Sequence, residues 1–290
     1  MKRLMGTGVA LVTPFDEEGR LDLDSLRRLV EHVIAGGVNF LVVLGTTAET
    51  ATLTVAEKAE VVHTVAGVNQ GRLPMIAGIG GNNTAEAIRE IQAASWLKEC
   101  QGILSITPFY NKPSQEGLYQ HFKAIAAVSP LPLCLYNVPG RTGVNMKAET
   151  VIRLSKDCPD IMALKEAAGN FEQATDIMKG KRDDFAVLSG DDSIVLPLMA
   201  IGFDGVISVV ANVLPQACSD LVRYAQADDF TTARELHLQL SGLCKSLFEE
   251  GNPAGVKAAL HAAGIIRCNT LRLPLIPVSE SLYRLIQQSL

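Results

Sequence analysis

At 290 residues, with 48% hydrophobic and 20% charged side chains, the chain has ordinary globular composition, which excludes a disordered or fibrous protein. Lys and Arg total 26 against 31 Asp and Glu, a formal charge of −5, so no basic surplus makes nucleic acid the expected partner. No apolar run approaches the roughly 20 residues of a membrane span, and the opening Met1-Lys2-Arg3-Leu4-Met5-Gly6 meets Pro14 and Asp16-Glu17-Glu18 too soon for a secretory signal, so the reading is a cytoplasmic protein.

In chain order, a short apolar run at residues 8–12 leads into a helical pattern over 22–35, with Leu26, Leu29, Val30 and Val33 on one face. Runs at 40–44 and 75–79 follow, the second leading into a helix predicted over 84–100. Runs at 102–106 and 133–136 alternate with helical patterns over 115–128 and 146–156, and the last three runs fall at 161–164, 186–188 and 205–209. The spacing averages about 28 residues, one βα unit, and the runs are continuous, as suits parallel strands buried on both faces. Eight such units in unbroken order predict a (β/α)8 TIM barrel, with a doubly wound open sheet as the competing arrangement. After Val210 the pattern is helical only, over 214–227, 231–249, 253–263 and 279–289. One of these helices closes the barrel, and the expected division is a catalytic barrel over 1–225 with a helical extension over 226–290 packed on it.

In an α/β barrel the active site is built at the C-terminal ends of the strands, which shortens the search. Of twelve lysines, Lys165 alone directly follows a buried strand, Ile161-Met162-Ala163-Leu164. Desolvation there favours the free amine, which Schiff-base chemistry on a carbonyl requires. A structural lysine paired with a carboxylate is the other reading; Glu166 is a poor partner, because adjacent strand residues face opposite ways. Tyr136 ends the fifth run and suits proton transfer in a dry site, or a core tyrosine with its hydroxyl satisfied. Phe109 and Tyr110 raise the same question, with interface packing as the alternative. Thr46 and Thr47 follow Gly45 after a buried strand and suit a carboxylate held by hydroxyls and backbone N–H groups, or a helix cap. Arg141, after Pro139-Gly140, suits a forked contact to a carboxylate or a solvated surface position.

Other chemistries find little support. The five histidines (32, 63, 121, 237, 261) fall in helical stretches, away from strand ends where a metal-dependent enzyme would gather them. Residues 78–83 fail the last glycine of a dinucleotide fingerprint. Asn82-Asn83-Thr84 matches a glycosylation sequon but reads better as a helix cap at Asn83 or Thr84. Asp191-Asp192 suits a metal, yet two acids opening a helix are explained by its dipole. Six scattered cysteines (100, 134, 158, 218, 244, 268) without C-x-x-C read as buried thiols.

These strand ends carry a resemblance. The segments G-T-T-A-E-T at 45–50, T-P-F-Y-N-K-P-S-Q-E-G at 107–117, Y-N-V-P-G-R-T at 136–142, A-L-K-E at 163–166, L-S-G-D-D at 188–192 and G-V-I-S-V-V-A-N at 205–212 resemble the dihydrodipicolinate synthase and N-acetylneuraminate lyase superfamily of Schiff-base aldolases, over nearly the whole chain. They are most similar to the dihydrodipicolinate synthase branch, whose members condense pyruvate with L-aspartate 4-semialdehyde in lysine and diaminopimelate biosynthesis. The resemblance implies that Lys165 forms the imine with pyruvate, that Tyr136 is the general acid/base, and that Thr46 links it to Tyr110 in a proton relay. It implies that Tyr110 reaches into a neighbouring subunit's site, that Thr47 holds the pyruvate carboxylate and Arg141 that of the semialdehyde, and that the carbonyls of Gly190 and Ile207 line the site. A homotetramer built as a dimer of dimers is implied, with no metal or organic cofactor.

Departures and alternatives follow from the same match. Ala48 replaces the usual Gly of G-T-T-G-E, which would cost roughly 1 kcal/mol if the position needs positive φ. An N-acetylneuraminate lyase or 2-keto-3-deoxy sugar acid aldolase would share Lys165 and Tyr136, but Arg141 and Thr46 favour the first branch; a keto-acid-binding barrel without turnover is the alternative of another class. In lysine-sensitive relatives the inhibitor site corresponds to Thr50, Ala51, Val55, Lys58, Asn82, Glu86 and Phe109. Here Val55 and Lys58 stand for histidines and Phe109 for a tyrosine. The lost hydroxyl costs roughly 1–3 kcal/mol, and a second ammonium at Lys58 would repel the ligand by roughly 3 kcal/mol at about 5 Å, so weak or absent inhibition by lysine is expected.

Overall fold

The computed structural model describes residues 4–290. The basic opening Met1-Lys2-Arg3, on which the reading of the N-terminus drew, lies outside the described residues. In order, the elements are β1 (Gly6–Ala10), α1 (Leu23–Ala35), β2 (Phe40–Val43), α2 (Val55–Asn69), β3 (Met75–Gly78), α3 (Thr84–Ala93), β4 (Gly102–Ile106), α4 (Gln115–Ala126), β5 (Leu133–Asn137), the single turn α5 (Pro139–Thr142), α6 (Ala148–Asp157), β6 (Ile161–Glu166), α7 (Phe171–Gly180), β7 (Ala186–Ser189), α8 (Val195–Ala200), β8 (Gly205–Ser208), α9 (Pro215–Gln226), α10 (Phe230–Glu249), α11 (Ala254–Ala262) and α12 (Glu280–Gln288). The eight strands are parallel and close in sequence order, β1 pairing with both β2 and β8. The expected (β/α)8 barrel is the fold, and the open sheet is set aside. Among the described residues no helix is long and apolar enough to cross a membrane.

Strand alternation sorts the side chains into two cores. Ala10, Phe40, Val42, Ile76, Leu104, Cys134, Tyr136, Ala163, Ala186, Leu188 and Ile207 fill the inside of the barrel. Their neighbours Val9, Leu41, Val43, Ile103, Leu135, Leu164, Val187 and Val206 join the larger layer between strands and helices. Helix starts are capped where the sequence offers a short polar residue: Asp22, Asn83, Ser114 and Ser279 each accept from a first-turn N–H, and Thr54 with Glu57 forms a full capping box.

The helix expected over 84–100 ends at Ala93, and a tight turn over Ser95–Glu99 follows. Helical periodicity from Ala87 and Ile91 would next bury position 94 or 95. The side chains that are buried are Trp96 and Leu97, so the chain breaks phase at Ala94 to turn them inward. The first strand begins two residues before its apolar run, at Gly6, because it must reach Gly205 to close the barrel. At that seam a Cβ on Gly205, whose φ is +151°, would lie 1.9 Å from the Gly6 carbonyl oxygen.

Replacing Gly205 with Ala therefore adds a backbone clash to an unfavourable φ, and we expect a loss of more than about 2 kcal/mol in urea unfolding. Gly19→Ala, at φ +79° with nothing within 4 Å, should cost only about 1 kcal/mol. Equal losses at the two positions would show that closure of the seam is not the sensitive step.

Candidate active site

The inner wall at the C-terminal end of the barrel is made by β5 and β6. Their register pairs Leu133 with Ile161 but Cys134 with Ala163, leaving Met162 as an extra residue in a bulge. Beyond the bulge Tyr136 pairs with Lys165. Ile161 faces the outer layer, so a regular strand would turn Lys165 outward as well; the bulge resets the phase and aims it inside. The Lys165 ammonium nitrogen sits 4.3 Å from the centroid of the Tyr136 ring, and both residues are buried. Gly190 leaves room for this lysine: a Cβ there would lie 3.1 Å from Lys165 Cγ and Cε and 2.8 Å from Ala167 Cβ. Burial pushes the Cys134 thiol, the one sulfur inside the barrel among the described residues, up to about 12, so it is no competing nucleophile.

Glu166 points the other way, as alternation requires. Its carboxylate accepts from Asn137 Nδ2 (3.1 Å to each oxygen), Gln173 Nε2 (3.2 Å) and the Ala168 N–H (2.7 Å). Burial pushes its carboxyl above the ordinary range, and these hydrogen bonds oppose the shift. The network ties β5, β6 and α7 together behind Lys165. The acidic pair Asp191-Asp192 meets the sequence reading only in part. Asp191 does cap a tight turn over Asp192–Ile194, accepting from the Ser193 N–H. Asp192, however, is buried and accepts from Ser208 Oγ and from the N–H groups of Val209 (2.8 Å) and Val210 (3.3 Å). It clasps the end of β8 rather than answering a helix dipole.

Thr46 and Thr47 lie in a tight turn, Thr46–Ala48, directly after β2. Ala48 needs no positive φ; the left-handed positions are Leu44 (φ 55°) and Glu49 (φ 54°), so the suspected strain at Ala48 does not arise. Two groups from the C-terminal segment, one just before α11 and one within it, meet this turn and the residue after it. Asn252 Nδ2 donates to Thr47 Oγ1 at 2.9 Å, and Lys257, fully buried, is ion-paired with Glu49 and donates to the Thr270 carbonyl at 2.9 Å. Burial pushes the Lys257 ammonium down to about 8, with the Glu49 carboxylate acting against that shift. Arg272 supplies a backbone N–H to Glu49 (3.0 Å) and pairs its guanidinium with Glu57. Residues 254–260 are otherwise an apolar, wholly buried helical face; a lysine in the middle of that run is the signal by which sequence reading had a chance to find Lys257.

A cavity of about 550 Å³ opens at this end of the barrel, lined by Thr46, Thr47, Tyr136, Arg141, Lys165 and Gly190 and on its far side by His237, Lys245, Phe248 and Asn252. Six of the sequence candidates, Gly190 among them, thus line one space. The far wall, from α10 and the segment after it, went unread. Arg141 is exposed at the rim and reaches the Asn252 carbonyl at 3.4 Å. Ile207 is buried inside the barrel on β8. Tyr110 is not gathered in: it is 87% exposed, at φ 71°. A second cavity, about 470 Å³, shares Thr46, Tyr136, Arg141 and Asn252 with the first and is lined by Thr50, Ala51, Lys58 and Phe109. Val55 stands outside, 80% exposed, Asn82 accepts from Asn111 through its carbonyl, and Glu86 pairs with Arg89 on the surface. Lys58 is held by Glu90 at 2.7 Å, so the free ammonium assumed from sequence is already neutralised.

An amine and a phenol in a half-open cavity, with hydroxyls and an arginine at its edge, form a site for covalent chemistry on a small carbonyl acid. The model of the dihydrodipicolinate synthetase family matches residues 3–290. The 4-hydroxy-tetrahydrodipicolinate synthase of Flavobacterium psychrophilum is 49% identical over 282 residues, covering 97% of this chain and 96% of the relative. The solved dihydrodipicolinate synthase of Thermotoga maritima aligns with a TM-score of 0.96 at 42% identity, covering 99% of this chain and 97% of that one. The chloride-inhibited dihydrodipicolinate synthase of Acinetobacter baumannii, solved complexed with pyruvate, aligns at 0.94 with 43% identity, covering 98% and 97%.

Gly190→Ala should push the Lys165 side chain aside without touching the amine itself. We expect borohydride trapping of Lys165 with a small 2-keto acid to slow by about tenfold to a hundredfold, while Tm falls by only a few degrees. Unchanged trapping would mean that the lysine has room to spare.

Proposed function

The chain belongs to the dihydrodipicolinate synthetase family, and from that premise we propose how it works as a lyase that condenses pyruvate with L-aspartate 4-semialdehyde to 4-hydroxy-tetrahydrodipicolinate, in lysine and diaminopimelate biosynthesis. One observation carries the reading: the Lys165 amine, on β6, stands inside the closed barrel beside Tyr136 at the mouth of the cavity. The uncharged amine adds to C2 of pyruvate, and the carbonyl oxygen leaves as water. The iminium draws electrons from the methyl group, which loses a proton to give an enamine. The enamine carbon attacks the aldehyde of the second substrate, and the resulting alkoxide takes a proton. The amino group of the acceptor then attacks the imine carbon, closes the ring and releases Lys165.

Tyr136 shuttles the protons, with Thr46 linking it to Tyr110. Thr47 holds the pyruvate carboxylate through its hydroxyl and N–H, Arg141 receives the carboxylate of the semialdehyde at the rim, and the carbonyls of Gly190 and Ile207 complete the wall. The roles need Tyr110 supplied by a second copy, since in its own chain it faces solvent. Tyr110 and Leu273, which is 79% exposed, adjoin residues lining the second cavity, and Val55 is close by in sequence. These exposed apolar side chains support a tight dimer, within a homotetramer built as a dimer of dimers. Residues 1–225 form the catalytic barrel and 226–290 its packed extension, in a cytoplasmic enzyme.

Borohydride with pyruvate should inactivate the enzyme and label the Lys165 peptide, and turnover should be supported by aspartate semialdehyde and not by N-acetylmannosamine. A label on another lysine would remove the mechanism, and turnover with the sugar would move the protein to the other branch.

Lysine should inhibit weakly or not at all. With Lys58 neutralised by Glu90 and Val55 outside the cavity, the expectation rests on Phe109, which offers no hydroxyl, and on the histidine missing at Lys58. A lysine titration of initial rates decides it: saturable inhibition at sub-millimolar lysine overturns the expectation.

A further inference from the structure

The loop after β2 is held from outside the barrel. Its Glu49 side chain is fully buried, and so is that of Lys257. Lys257 lies in the middle of α11, which is otherwise apolar and buried over residues 254–260, and its nitrogen sits 4.1 Å from the centroid of the Phe15 ring. A buried ion pair of this kind is strongly destabilising when only one partner is removed, but well-packed neutral replacements for both are often tolerated. Stability alone therefore does not require two charges here. What the pair does do is fix the loop: Glu49 sits at left-handed φ two residues after Thr47, and its other oxygen is tied to the Arg272 N–H.

A second tie comes from the segment that leads into the same helix. Asn252, just before α11, is buried and donates to Thr47 Oγ1 at 2.9 Å. A hydroxyl that accepts a hydrogen bond from one side keeps its own proton for another acceptor. The Thr47 O–H is thereby directed to donate, which is what a substrate carboxylate needs. The side chain of Asn252 binds Thr47, while its backbone carbonyl takes the contact from Arg141. Asn252 thus touches two lining residues of the cavity by separate atoms.

We propose that Lys257 and Asn252 are positioning residues for pyruvate: α11 and its leader clamp the loop after β2, Lys257 through Glu49 and Asn252 through Thr47, so that the Thr47 hydroxyl and N–H face the pyruvate carboxylate. The proposal rests on the assignment of Thr47 to that carboxylate.

The test compares three variants by steady-state kinetics and thermal unfolding. Thr47→Val examines the underlying assignment: pyruvate KM should rise by about tenfold or more. Asn252→Ala keeps the backbone carbonyl for Arg141 and should raise pyruvate KM by about threefold to tenfold, leaving semialdehyde KM within about twofold. The double variant Glu49→Gln with Lys257→Met removes both charges together. It should unfold at a higher temperature than either single variant yet raise pyruvate KM by about tenfold, again sparing semialdehyde KM. If Thr47→Val leaves pyruvate KM unchanged, the assignment of Thr47 fails. If Thr47→Val acts as expected but Asn252→Ala and a folded double variant keep wild-type pyruvate KM, the clamp fails alone. A common loss of kcat with neither KM moved, or a rise confined to semialdehyde KM, also overturns it. Should the double variant not fold, Asn252→Ala decides the matter by the same criteria.

Discussion

A closed eight-stranded barrel has an interior just wide enough to be filled by alternate side chains from each strand. That steric constraint governs everything at the mouth of this one. Small and medium residues such as Ala10, Ala163, Ala186 and Cys134 share the inside with Phe40, Ile76 and Leu104, and the same alternation carries upward without interruption to Tyr136 and Lys165. The groups offered for chemistry are simply the last inward positions of strands whose lower inward positions are packing. Their partners on the outward positions, Asn137 and Glu166, face helices and are spent on hydrogen bonds with each other and with Gln173.

Charge in such an interior has to be accounted for group by group. Glu166 and Asp192 are each surrounded by N–H and O–H donors, Lys257 has Glu49 and a carbonyl, and Lys165 has the face of an aromatic ring. The last arrangement is the weakest of the four, since a ring quadrupole offers far less than a carboxylate. Lys257 is paired with a carboxylate, whereas Lys165 lies over a ring face. The two lysines buried among the described residues thus differ in what is placed beside them.

Much of this was legible in the chain. Continuous runs of Val, Ile and Leu at regular spacing disclosed eight strands, because strands covered on both faces have no polar positions to interrupt them. Lys165 stood out because it ends such a run, and the outward turn of Glu166 followed from alternation. The unread part depends on contacts between distant segments. Asn252 and Thr47 are 205 residues apart, and Lys257 and Glu49 are 208 apart; nothing local in either segment names the other. Asp192 was misjudged for a related reason: beside Asp191 it looks like a helix start, and only the position of β8 shows that its acceptors are needed elsewhere. The early end of α3 likewise reflects which side of Trp96 meets the core, a matter of tertiary packing and not of propensity.

The bulge at Met162 also sets how the sixth strand tolerates changes in length. Because the extra residue is absorbed there, the upper half of the strand is uncoupled from the lower half, and loss of one residue at 162 would merely regularise the pairing and keep the amine inside. The same loss at Leu164, above the bulge, would exchange the faces of everything after it, turning Lys165 to the helices and bringing Glu166 into the barrel. Two deletions a couple of residues apart thus separate a barrel that presents an amine from one that presents a carboxylate, and the chemical identity of the site is written in the parity of a residue count.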